Sequence, residues 1–285
     1  MTVSKDILHR YVFEDLHARG ELVQLDQSFK QIIENHDYPS AVTKLLGELM
    51  AATCLLTATL KFEGEIAVQI QGDGPVKYMV INGDHQQQMR GIARIVADIE
   101  GDSLHDLMGK ANMIITVIPK QGERYQGIVA LEGDTLAQCL EHYFATSEQL
   151  ATRIWLYADV TTVQAGGSLI QVLPDSEDKQ QQLDDFEHIS QLTHTLTAKE
   201  VFELDAQEIL YRLYHEQKVR LYDPQQVSFV CGCTEDKCLS AIANMGKEGI
   251  EQHLAEHGAF NITCDFCLTE YHFDAEKLKP LLQPN

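Results

Sequence analysis

The sequence predicts an α+β fold: an N-terminal domain of mixed sheet and helix, a helical linker region, and a small C-terminal domain organised by cysteines. Three observations predict it. Strand-like and helix-like runs alternate across the first 174 positions with turn residues between them. A polar, acidic run with few apolar anchors follows. The final 55 residues then gather five of the seven cysteines.

In the N-terminal part, the turn residues Asp37 and Pro39 precede AVTKLLGELMAATCLLTATL, where Leu45, Leu46, Leu49, Leu56 and Leu60 recur at helical spacing. The spacing predicts a long, largely buried helix, in which Cys54 reads as a small core hydrophobe. EIAVQIQ and VKYMVIN flank GDGP as two strands around a turn, and NMIITVIP and YQGIVAL pair around Gly122. Thr135 caps TLAQCLEHYF, whose Cys139 also reads as core. RIWLYADV and SLIQVLP bracket Gly166 and Gly167 as a further hairpin. No GxGxxG or phosphate-binding loop interrupts this domain, which is expected over residues 1–174.

The linker region is expected over residues 175–230. Its opening, DSEDKQQQLDDFEHIS, carries six acidic residues against one lysine. Thr197 with Glu200, and Asp205 with Glu208, then show capping-box spacing, the second opening into EILYRLYHE. Helices this short are marginal unless packed, so the region depends on its neighbours for stability.

With 44% apolar and 23% charged residues the chain reads as globular. Its longest membrane-like stretch, Leu45 to Leu60, is interrupted by Glu48 and reads as too short to span a bilayer. The start, MTVSKDILHRYVFEDLHARGELV, shows no apolar core and no small-residue cleavage site, so a cytoplasmic location is expected. A net charge of −21 repels phosphate backbones and anionic lipid alike, so neither nucleic acid nor membrane is expected as a partner. In a reducing cytoplasm, clustered cysteines point to metal binding or redox sensing before permanent disulfides.

The C-terminal domain is expected over residues 231–285. CGC at Cys231 and Cys233, and CDFC at Cys264 and Cys267, form two close thiol pairs with 30 residues between them. Two such pairs are what a tetrahedral Cys₄ zinc site needs, because each turn aims two sulfurs at one ion. A domain this small also needs a staple. Zinc is the favoured metal; an iron–sulfur cluster and unrelated thiols are the alternatives, the former with spacing unlike the ferredoxin patterns. CDFC lies between the apolar pairs Phe260, Ile262 and Tyr271, Phe273, which predicts a knuckle between two short strands. Cys238 is expected to be a bystander. HLAEH, His253 to His257, matches an inverted zinc-peptidase pattern but reads as a surface helix.

CGC and CDFC at this spacing closely resemble the bacterial redox-regulated chaperone family called heat-shock protein 33. RYVFEDLHARGELV, YPSAVTKLLGELMAATCLLTATLKFEGEIAVQIQGDGP, ERYQGIVAL and YFATSEQLATRIWL are similar to that family's segments, so the resemblance runs through essentially the whole chain. It implies no enzyme. It implies an ATP-independent holdase, inactive when reduced and carrying one zinc ion on Cys231, Cys233, Cys264 and Cys267. It further implies that oxidation pairs Cys231 with Cys233 and Cys264 with Cys267, that zinc leaves, and that the C-terminal domain and linker lose structure. The activated form, a homodimer in that family, then binds unfolding client proteins. Two other readings stay open: a thiol-disulfide oxidoreductase using CDFC, and a zinc-stapled adaptor with no redox role.

Overall fold

The computed structural model describes residues 5–60, 63–174 and 178–282; residues 175–177, where the acidic run begins, lie outside them. The chain divides into two compact units, Met1–Phe229 and Val230–Asn285. The fold is α+β, as the interleaved periodicities predict.

In the first unit, β1 (Ile7–Phe13) and β2 (Ala18–Leu25) form an antiparallel hairpin. After the short α1 (Gln27–Ile33) comes α2 (Ser40–Thr59), the long helix read from the leucine spacing. By length and apolarity α2 could cross a membrane, so the expectation of too short a stretch is corrected. Its burial accounts for that character: fourteen of its residues are buried. Glu48, read as an interruption, is itself largely enclosed, and burial pushes its carboxyl up to about 6.

The strands β3 (Gly64–Gly72) and β4 (Val76–Asp84) close the GDGP turn, and β5 (Gln88–Ile95) extends them. Beyond α3 (Leu104–Met108), β6 (Ala111–Pro119) and β7 (Tyr125–Ala130) complete this sheet in the order β5-β4-β3-β6-β7. The capping box at Thr135 opens α4 (Leu136–Tyr143), with Cys139 buried as expected. β8 (Thr152–Asp159) and β9 (Gln164–Val172) then pair and join β2, so the first sheet runs β1-β2-β9-β8.

The hairpin expected around Gly166 and Gly167 exists, but its turn lies at residues 160–163 and both glycines sit within β9. Close backbone approach explains them. A Cβ on Gly167 would lie 2.4 Å from the Trp155 carbonyl oxygen, and one on Gly166 would lie 2.7 Å from that of Val23.

α2 packs against β2, β8 and β9 of the first sheet and against β3, β4 and β5 of the second. Leu8, Val23, Leu169, Val68, Ile70 and Met79 belong to this core. The other face of the first sheet is also covered, by α5 (Lys179–Thr193), α6 (Ala198–Glu203) and α7 (Ala206–Tyr214). That is why β9 is almost continuously buried instead of alternating.

The helices meet the sheet through a second core. Phe186, Ile189, Val201, Ile209, Leu210 and Tyr214 pack on Tyr11, Phe13, Leu22 and Ile170. Tyr214 sits edge-on to Phe13 at 4.9 Å between ring centroids. Polar ties run along the same layer: Gln24 Nε2 and Lys5 Nζ both donate to the carbonyls of Val201 and Leu204 at the end of α6. The capping box read at Thr197 is present with Glu200, and Asp205 caps α7 by accepting from the Glu208 amide. Three short strands follow the helices: β10 (Val219–Leu221) and β11 (Gln225–Gln226) pair with β1, and β12 (Ser228–Phe229) lies parallel to β5.

Glu21 faces the inner side of the first sheet, 4.0 Å from Arg19 and opposite Arg10 across the hairpin. Burial pushes its carboxyl up to about 7, against the pull of Arg19 and then Arg10. A carboxyl raised in the folded state contributes stability that is full below its ordinary 4.5 and is lost as pH rises through about 7. Glu21→Gln should therefore remove a term on the order of 3 kcal/mol from the pH dependence of the unit. Urea unfolding at about pH 5 and about pH 8 checks it, since the wild type should weaken relative to the variant at the higher pH.

Candidate metal centre

In the second unit, α8 (Glu235–Ala243) and α9 (Gly246–His257) precede the antiparallel hairpin of β13 (Ala259–Thr263) and β14 (Glu270–Asp274), with α10 (Lys279–Leu282) beyond. Its core is small: Ile242, Ile250, Phe260, Phe273 and Leu278 are its buried apolar residues.

The hairpin is the knuckle expected around CDFC. Phe260 pairs with Phe273 and Ile262 with Tyr271. The Leu268 amide donates to the Cys264 carbonyl and the Cys264 amide to the Thr269 carbonyl, each at 2.9 Å, with Leu268 at φ +55. These bonds fold Cys264 and Cys267 to one side of the turn. CGC bends similarly through Gly232 at φ +66, a conformation glycine adopts without cost. Lys237 Nζ donates to the Gly232 carbonyl at 2.6 Å, and Thr234 caps α8 directly after the loop.

The two turns bring all four sulfurs within 4.8 Å of one another. Cys231 Sγ lies 3.5 Å from Cys264 Sγ, and Cys233 Sγ lies 3.4 Å from Cys267 Sγ. Four sulfurs at about 2.3 Å from one tetrahedral ion would stand about 3.8 Å apart, so the set fits a zinc-sized site. The thiols are only partly buried.

Their ionisation is uneven. Burial pushes the Cys231 and Cys233 thiols up. Burial also opposes ionisation of Cys267, but the hydroxyl and amide of Thr269, followed by Cys231 and Cys233, bring its thiol down to about 6. Two hydroxyls reach the cluster. Tyr271 Oη donates to Cys233 Sγ at 3.1 Å, and the Thr269 hydroxyl lies 3.2 Å from Cys267 Sγ, to which it donates once that thiol is ionised. Sequence reasoning took Tyr271 only as an apolar flank of CDFC; strand alternation shows its face but not the reach of its hydroxyl.

Cys238 lies on α8, packed against the small core and outside the four-sulfur group. Cys54 is buried in α2, where burial raises its thiol strongly. HLAEH closes α9: the His253 ring stacks on Phe260 at 3.9 Å and His257 faces Glu256 at 3.7 Å. Among the described residues the four cysteines are the one group of metal-ligating side chains brought together in this way.

Comparison with known proteins agrees with this arrangement. A family model described as Hsp33 protein matches residues 6–274. A 33 kDa chaperonin of Colwellia psychrerythraea is 55% identical over 281 residues, covering 97% of each chain. One of Vibrio cholerae is 51% identical, covering 99% of this chain and 97% of its own. The crystal structure of a 33 kDa chaperonin, a heat shock protein 33 homolog, from Thermotoga maritima shares the fold with a TM-score of 0.83 at 20% identity, covering 97% of this chain and 98% of its own. The relatives bear the name of a chaperonin and not of an enzyme. The resemblance first read from CGC and CDFC therefore extends across nearly the full length of the chain, which belongs to the Hsp33 family.

Proposed function

We propose that this protein is a redox-regulated, ATP-independent holdase of the cytoplasm that binds unfolding client proteins. The observation that carries the reading is the convergence of four oxidisable sulfurs in a unit whose apolar core holds five buried residues among those described. Membership of a family whose curated relatives are named chaperonins supports the chaperone part.

In the reduced state Cys231, Cys233, Cys264 and Cys267 hold one Zn²⁺. Bound there, the ion supplies the positive charge that lets four thiolates stand side by side. Zinc–thiolate coordination in small domains is worth roughly 10–16 kcal/mol, whereas whole domains are stable by about 5–15 kcal/mol. Oxidation of the sulfurs to Cys231–Cys233 and Cys264–Cys267 disulfides removes the ligands, and the unit unfolds with the loss of its ion. A disulfide across CxC closes a very small ring and is readily reduced again, which suits a reversible sensor.

The chain itself carries the signal onward. Only Val230 separates Cys231 from β12, and β10 to β12 lead back to α7. Release of residues 175–230 would uncover the outer face of the first sheet, where Tyr11, Phe13, Leu22 and Ile170 offer a client apolar surface. The activated form acts as a homodimer.

Three outcomes test this reading. Light scattering from an aggregating client should fall with peroxide-treated protein and not with reduced, zinc-loaded protein; equal behaviour of the two forms would leave the thiols a structural staple. Cys267→Ser should cut zinc content and abolish the peroxide response, read by metal analysis and the same scattering assay. Ile209→Ala, at a residue 1% exposed against the sheet, should cost about 2–5 kcal/mol of helix docking. That variant should protect clients while still reduced and zinc-loaded, and unchanged inactivity would separate the helical layer from client binding.

A further inference from the structure

The four-sulfur cluster is not chemically uniform, because two side-chain hydroxyls reach it. Both come from the same strand end. Tyr271 lies on β14, with its ring packed at the margin of the small core beside Phe273 and its Oη 3.1 Å from Cys233 Sγ. Thr269 stands two residues after Cys267, with its hydroxyl 3.2 Å from that sulfur. The hairpin register fixes both: Tyr271 is paired with Ile262 and Glu270 with Thr263, while the Thr269 carbonyl accepts from the Cys264 amide. A ring held by packing and a residue held by a turn present their hydroxyls without a large ordering cost.

A hydroxyl that donates to a thiolate withdraws electron density from the sulfur. This lowers the energy of the lone pair that attacks an oxidant and stabilises the anion that holds a metal. We propose that Tyr271 and Thr269 are positioning residues that restrain Cys233 and Cys267, setting how fast peroxide dismantles the metal site. The inference rests on the metal-centre reading above. The step it governs is simple. A thiolate sulfur attacks one peroxide oxygen, an S–O bond forms as the O–O bond breaks, and hydroxide leaves. A second thiolate then displaces a second hydroxide to make the S–S bond, so two electrons pass from two sulfurs to one peroxide.

The test uses the full-length reduced protein loaded with Co²⁺ as the probe metal, which reports sulfur ligation through its thiolate-to-metal charge-transfer absorption. Tyr271→Phe keeps the ring and removes the hydroxyl; Thr269→Val, at an exposed position, serves as the second variant. Each is expected to move the charge-transfer band to lower energy and to raise the rate at which peroxide bleaches it by roughly 3- to 10-fold, the effect of one hydrogen bond lost. A purely structural role would alter thermal stability but leave the band where it is. Wild-type band position and bleaching rate in both variants would overturn the proposal while leaving the metal centre intact. Failure of the wild type to bind cobalt through its sulfurs would overturn the metal-centre reading and this inference with it.

Discussion

Four ionisable sulfurs within 4.8 Å of one another set the terms for everything in the second unit. At an effective dielectric of about 20, two unit charges 4 Å apart repel by about 4 kcal/mol, so four thiolates cannot coexist there without a cation among them. The five buried apolar residues of that unit are too few to hold the two turns together against such repulsion. With an ion bound there, folding, ion binding and sulfur ionisation would be one equilibrium, and chemistry that consumed the sulfurs would act on all three.

The first unit is built on the opposite plan. Helix α2 is enclosed between two sheets, and its core is a broad set of buried apolar side chains. The helices on the outer face of the first sheet are shorter and more sparsely apolar. α6 has six residues and α7 nine, below the length at which a helix holds in water by itself. They persist through Val201, Ile209, Leu210 and Tyr214 against the sheet, and through the bonds of Lys5 and Gln24 to the end of α6. The acidic, sparsely apolar composition of α5 would suit a layer that water could accept if it detached.

How much of this was legible in the sequence followed from where each signal is stored. Leucine spacing marked α2, turn residues marked β3 with β4, and Thr135, Thr197 and Asp205 marked their helix starts, because these signals are local. β5 escaped notice because Arg90, Gly91 and Arg94 break its alternation, and β10 to β12 because strands of two or three residues exist only through their partners. Gly166 and Gly167 misled in an instructive way: glycine marks a turn and a close backbone approach with the same letter, and only the register separates the two. The four cysteines that converge were legible as CGC and CDFC, whereas the hydroxyls of Tyr271 and Thr269 needed coordinates.

The first sheet thus carries an apolar layer on each face, one closed by α2 and the other by a segment with little stability of its own. Detachment of that segment would hydrate apolar area without opening the main core, and hydrated apolar area raises heat capacity. The free energy of detachment would then curve with temperature, closure being strongest at an intermediate temperature and giving way to the open form on warming beyond it. A surface covered in this way would answer to temperature as well as to chemistry.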